Sequence, residues 1–154
     1  MLIWEEVHRK TDATASDYGN RHPIHHAIDG ISEGNDPSTA IEMVQFLLDC
    51  DPIVALQEFL GRFPLVWICS SASPTSNTTS KVNARLEVLR LLYDAHPETI
   101  ENNEISSNLV TLSQDMQTFI NNQLAYAVNR WSEEILSCVG KKPTTQHPCK
   151  REIE

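Results

Sequence analysis

Apolar and polar positions alternate with helical period most clearly between Ile41 and Pro52. There Ile41, Val44 and Leu48 stand at i, i+3 and i+7, with Leu47 alongside. One stripe at this spacing predicts an amphipathic helix. The chain then says nearly the same thing again in Leu86-Glu87-Val88-Leu89-Arg90-Leu91-Leu92-Tyr93-Asp94-Ala95-His96-Pro97. Glu42 and Glu87, like Pro52 and Pro97, are 45 residues apart. Each copy ends near an acidic residue and a proline, which cannot continue a helix. Two matching helices in a chain of 154 residues predict stacked units, each too small to bury its apolar face alone.

A second, shorter pattern precedes each long helix. Asn20-Arg21-His22-Pro23-Ile24 aligns with Gly61-Arg62-Phe63-Pro64-Leu65 at an offset of 41. Asn20 tolerates positive φ and Gly61 adopts it freely, so both positions predict a tight turn. Pro23 and Pro64 suit the first turn of a helix, where the missing N–H is not needed. Ile24, Ala27 and Ile28 make a short apolar face. Ser32 to Thr39 reads as a loop, with Ser38 or Thr39 as the expected cap of the next helix. Ile53 to Leu56 is another short apolar piece, matched after the second long helix by Pro97-Glu98-Thr99-Ile100. Ser70 to Ser80 is almost wholly small and polar, a longer loop that accounts for the difference between the two offsets.

Beyond Ile100 the pattern decays. Leu109 stands where a third Pro64 is expected and Ser106 where a third Gly61 is. Met116, Phe119, Ile120, Leu124, Val128, Trp131, Ile135 and Cys138 then recur at helical spacing with neither Gly nor Pro between Asn108 and Val139. This predicts a helix over about Gln114 to Cys138, ended by Gly140 and Pro143. Trp131 is expected in the core, the other reading being an interface anchor. Thr144 to Glu154 is expected to be a disordered tail. Leu2 to Val7 is read either as a capping helix or as the end of a repeat truncated upstream.

The resulting expectation is an all-α chain, a short α-solenoid of helix-turn-helix repeats with a longer C-terminal helix. Its divisions are residues 1–16 as a cap or truncated repeat, 17–60 and 61–104 as two repeats, 105–139 as a degenerate repeat with the last helix, and 140–154 as the tail. Hydrophobic content of 40% and charged content of 21% fit a folded protein. The net charge is −9, and the residues from Gly140 onward carry +2, so the rest carries −11. A surface so acidic argues against nucleic acid as a partner. No window reaches the roughly 18 apolar residues of a membrane span, so no membrane partner is expected. Cys50, Cys69, Cys138 and Cys149 show no metal-finger spacing. Cys50 and Cys69 fall in apolar helices, where a thiol behaves as a small hydrophobe. With no signal-like N-terminus, the expected compartment is reducing and cytoplasmic.

The chain resembles the ankyrin repeat family in Asn20-Arg21-His22-Pro23-Ile24-His25-His26-Ala27, in Gly61-Arg62-Phe63-Pro64-Leu65-Val66-Trp67-Ile68-Cys69, and in its two Leu-Leu helices. These look like that family's Gly-x-Thr-Pro-Leu-His-x-Ala opening and Val-Val-x-Leu-Leu second helix. The likeness is to a degenerate, long-loop type similar to ankyrin repeat proteins of algae such as diatoms. His22 and Phe63 stand where the family has threonine, and Val66 where it has histidine. Both repeats exceed the usual length of about 33 residues. The resemblance implies a non-catalytic module that grips another protein through a concave face of hairpin tips and first helices. It places Arg21, His22, His26, Arg62 and Trp67 on that face.

Of the three clustered histidines, the sharp reading is a metal or pH-sensitive site. The plain reading has His25 bonding backbone of neighbouring turns, as the family's histidine does, with His22 and His26 at the surface. Adjacent His25 and His26 diverge on a helix, which is poor geometry for one ion. Trp67 is read equally as an exposed anchor or as core. No Gly-rich phosphate loop or Gly-x-Ser-x-Gly elbow occurs, and no enzymatic role or cofactor is expected. The other reading of the chain is a structural fragment or cap of a longer array that self-associates. A complete module is expected to be a monomer or to self-associate weakly.

Overall fold

The structure is a computed structural model and describes residues 16, 19–33, 36–71 and 78–140. Among them the chain is all-helical, its one strand-like feature being an isolated bridge between Phe59 and Arg62. The elements run α1 (Pro23–Gly30), α2 (Pro37–Cys50), a 3-10 turn (Pro52–Leu56), α3 (Pro64–Ser70), α4 (Thr79–Ala95) and a second 3-10 turn (Pro97–Glu101). Then come α5 (Asn103–Asn108), a third 3-10 turn (Leu109–Thr111) and α6 (Gln114–Val139). Residues 1–15 and 141–154, with the expected cap and tail, lie outside the described residues.

Local chemistry sets the helix starts. Pro23, Pro37 and Pro64 occupy first-turn positions, where a fixed φ is already helical and no N–H is lost. The cap of α2 is Asp36, whose carboxylate accepts the Ser38 N–H at 3.2 Å. The expected caps Ser38 and Thr39 lie inside the helix, because Pro37 begins it two or three residues earlier than composition suggested. Thr78 caps α4 and Ser113 caps α6 through their hydroxyls.

Helix α1 packs on α2, and α3 packs on α4. The first helices α1 and α3 also touch each other, as do the second helices α2 and α4. Helix α5 then packs on α3, and α6 on α4. One core runs through the pairs, with Ile24, Val44, Val54, Leu65, Leu89, Leu92, Ile100, Ile105 and Ile120 all buried. Burying one such side chain is worth about 1.5–3 kcal/mol, so the shared core contributes stability to each pair it runs through. Cys69 is fully buried, and Cys50 packs against this core. Burial alone pushes the Cys69 thiol up to about 12, so it stays protonated and acts as a hydrophobe.

Positions 45 residues apart differ in exposure. Met43 is the counterpart of Val88 by the 45-residue offset, yet Val88 is buried and Met43 is 48% exposed. Val88 lies between α4 and its neighbours, whereas no helix pair precedes α1 and α2 among the described residues. The same contrast separates half-buried Ala27 from buried Ile68.

The third unit departs from the expected register. Leu109 opens a 3-10 turn instead of a helix, and the first helix of this unit is α5, directly after the second 3-10 turn. From α3 to α5 the offset is 39 residues, against 45 between the two earlier 3-10 turns. Six residues that make the hairpin before α3 have no equivalent before α5. Trp131, expected in the core, is 54% exposed. Beyond Ala127 the residues of α6 are exposed among the described residues.

Candidate binding face

The face begins with the turn before α3. Phe59 and Arg62 exchange two backbone hydrogen bonds, each 3.0 Å. Between them Leu60 and Gly61 have φ of 52° and 75°, and two positive φ values in a two-residue hairpin mark a type I′ turn. Asn20, the counterpart of Gly61, has φ of 60°. The positive φ expected at both aligned positions is therefore present. Leu60 was not foreseen. It is 77% exposed and sits where a residue with a Cβ loses about 1–2 kcal/mol. Its neighbour Gly61 was the sequence signal, since X-Gly between strand-like residues marks such a turn. Leu60→Asn relieves the strain, and its expected effect is a melting temperature higher by about 2–4 °C, read by calorimetry.

Behind the turn an aromatic and charged cluster joins α1 to α3. The Trp67 indole N–H donates to Asp29 Oδ1 at 2.7 Å. The Arg21 guanidinium pairs with Asp29 Oδ2 at 3.2 Å and lies 5.0 Å from the centre of the Phe59 ring and 5.9 Å from that of Trp67. His25 meets Phe59 at 5.6 Å and Trp67 edge-on at 5.8 Å. His22 lies 5.9 Å from His25.

His25 is fully buried, and neither ring nitrogen has a hydrogen-bond partner. The backbone nearest the ring is that of Arg62 in the neighbouring turn, where the expected bond of His25 falls. The Arg62 backbone lies near enough to favour the protonated ring slightly, but short of hydrogen-bond geometry. Burial first, and then the proximity of His22, bring its pKa down from 6.5 to about 4. The imidazole is neutral at pH 7 and serves as an aromatic wall.

The five residues expected on the face divide. Arg21, His22, Arg62 and Trp67 gather where α1 and α3 begin. Arg62 Nε reaches Glu104 Oε2 at 2.8 Å, tying the turn to α5. His26, the counterpart of Trp67, lies round α1 in an open groove of about 430 Å³ that it shares with Pro23, Ala27, Gly30, Ala40 and Met43. Trp67 at the same repeat position has α1 to rest on and is half-buried. Among the described residues, no three of His, Cys, Asp or Glu are placed to hold a metal ion. No helix there is long and apolar enough to cross a membrane.

Compared with protein-family models, with curated proteins and with solved structures, the chain matches none of them.

Proposed function

We propose that the chain is a non-catalytic protein-binding module, an ankyrin-like stack that engages a partner through its first helices and the hairpin tip. The observation that carries this reading is Leu60, a large apolar side chain held exposed in a strained conformation at the tip of the turn. Strain of this kind persists where the surroundings over-determine it, and it clusters at ligand contacts. Arg62 stands next to it with its side chain 40% exposed. An exposed Leu beside a half-exposed Arg, on a scaffold fixed by helix pairs, suits a peptide or protein surface of acidic and apolar character.

The test is affinity capture from a source lysate, followed by direct titration of the captured protein. Arg62→Ala and Leu60→Asn each lose at least tenfold in affinity under this reading. Arg62 and Glu104 form a half-exposed pair worth less than about 1 kcal/mol, so R62A stays folded. Leu60→Asn is the sharper variant, because it gains stability while losing affinity. Unchanged capture by both variants overturns the reading.

A second reading, self-association, is favoured by one observation. Val128, Trp131, Ile135 and Val139 recur at three- and four-residue steps along α6 and are all more than half exposed. Such a stripe is the seam of a helix pair. Sedimentation distinguishes the two: a concentration-dependent dimer that Trp131→Glu dissociates supports self-association, and a monomer at all concentrations removes it.

A further inference from the structure

The 45-residue repeat puts Arg85 of α4 at the position that Ala40 holds in α2, and both side chains are 5% exposed. Alanine suffices there for the helix pair to close, so packing does not call for a guanidinium. A buried cation ordinarily lies against a carboxylate, but no acidic side chain among the described residues pairs with Arg85, and burial lowers its proton affinity. Its Nη2 donates to Ser32 Oγ at 2.7 Å and to the Ser71 carbonyl at 3.3 Å. Nε and Nη1 are buried with no acceptor. Of the five N–H donors of a guanidinium, three are unspent. One turn earlier on the same helix, Lys81 Nζ reaches the Ser32 carbonyl at 3.4 Å in an exposed contact.

We infer that Arg85, Lys81 and Ser32 form a binding site for a small inorganic oxyanion of the phosphate type. A tetrahedral oxyanion brings the several acceptors that the guanidinium lacks, in the fork geometry guanidinium prefers. It enters by parting the Lys81–Ser32 contact and accepts from Nη2 in place of the Ser32 hydroxyl and from Nε or Nη1 on the adjoining edge, with the Lys81 ammonium closing over it. The N-terminus of α4 adds its partial positive charge, since Lys81 and Arg85 lie in the first two turns of that helix. The net charge of −9 speaks against a broad basic surface but not against two cations at one point. This site is independent of the hairpin face.

Thermal melts of the full chain in 0 to about 10 mM inorganic phosphate, against sodium chloride of matched ionic strength, test it; phosphate at this level is too dilute for a general salting effect. The expected result is a saturable rise in melting temperature with one phosphate per chain by calorimetry. Arg85→Met abolishes the response, and Lys81→Met weakens the apparent affinity about tenfold. No rise beyond chloride in the native chain overturns the inference, as does an equal response in R85M. If R85M does not fold, an undiminished response in K81M overturns it, because Lys81 is at the surface and its loss leaves the core intact.

Discussion

Trp67→Ala lowers the stability of the chain by about 3 kcal/mol and its melting temperature by about 10 °C. Three losses add up to this figure. The indole packs against the core from α3 while lying on α1, and truncating a large buried aromatic side chain leaves a cavity worth about 3–5 kcal/mol when burial is complete. Trp67 is half-buried, which brings that figure down. Its edge-on contacts with Phe59, at 5.1 Å, and with His25 add about 0.5–1.5 kcal/mol each at most. Asp29 loses the 2.7 Å hydrogen bond but keeps Arg21 and partial access to water, so it is not stranded. Urea denaturation of the single variant measures the sum. A loss below about 1 kcal/mol would return Trp67 to the exposed-anchor reading and leave the junction between α1 and α3 to other contacts.

Acidification from pH 7 to pH 4 costs the native chain about 3 kcal/mol more than it costs the variant His25→Leu. The direction follows from proton counting. In the unfolded chain His25 titrates near 6.5; in the folded chain it titrates near 4. Between those values the unfolded state holds the extra proton, so stability falls as pH drops through this window and levels off below about 4. The separation corresponds to about 3 kcal/mol. Carboxylates act in the same acid range: Asp36, held down mainly by the Ser38 hydroxyl and N–H, and Glu98, held down by its own backbone N–H and by His96. They are common to both proteins and cancel in the comparison. Leucine also removes two unpartnered ring nitrogens, so the variant is at least as stable as the native chain at pH 7. Urea midpoints at four or five pH values give both curves. Parallel curves would mean that His25 takes up its proton without leaving the core.

Much of the fold was written in local signals. Asn20 and Gly61 announced positive φ because few residues tolerate it, and Pro23 and Pro64 announced helix starts because few other positions accept proline. The long helix was legible from Gln114 because no Gly or Pro interrupts it. What failed depended on neighbours. Trp131 has the spacing of a core residue, and spacing cannot say whether a second surface exists to receive it. Leu109 was placed by counting 45 residues, a count that the absence of a hairpin before α5 makes wrong. Asp29 and Phe59 joined the candidate face only when α1 and α3 came together, since 38 residues separate Asp29 from Trp67. Arg85 was hidden inside a helical stripe that looked complete without it.

The central claim is that α1–α2 and α3–α4 are two forms of one helix pair sharing a single core. Nuclear Overhauser contacts between the methyl groups of α2 and those of α4, in a methyl-labelled sample, measure this directly. Cross-peaks linking Val44, Leu47 or Leu48 to Val88, Leu89 or Leu92, together with helical carbon shifts over both segments, are the predicted result. Strand-like shifts in either segment, or helical segments without a single cross-peak between them, would contradict it.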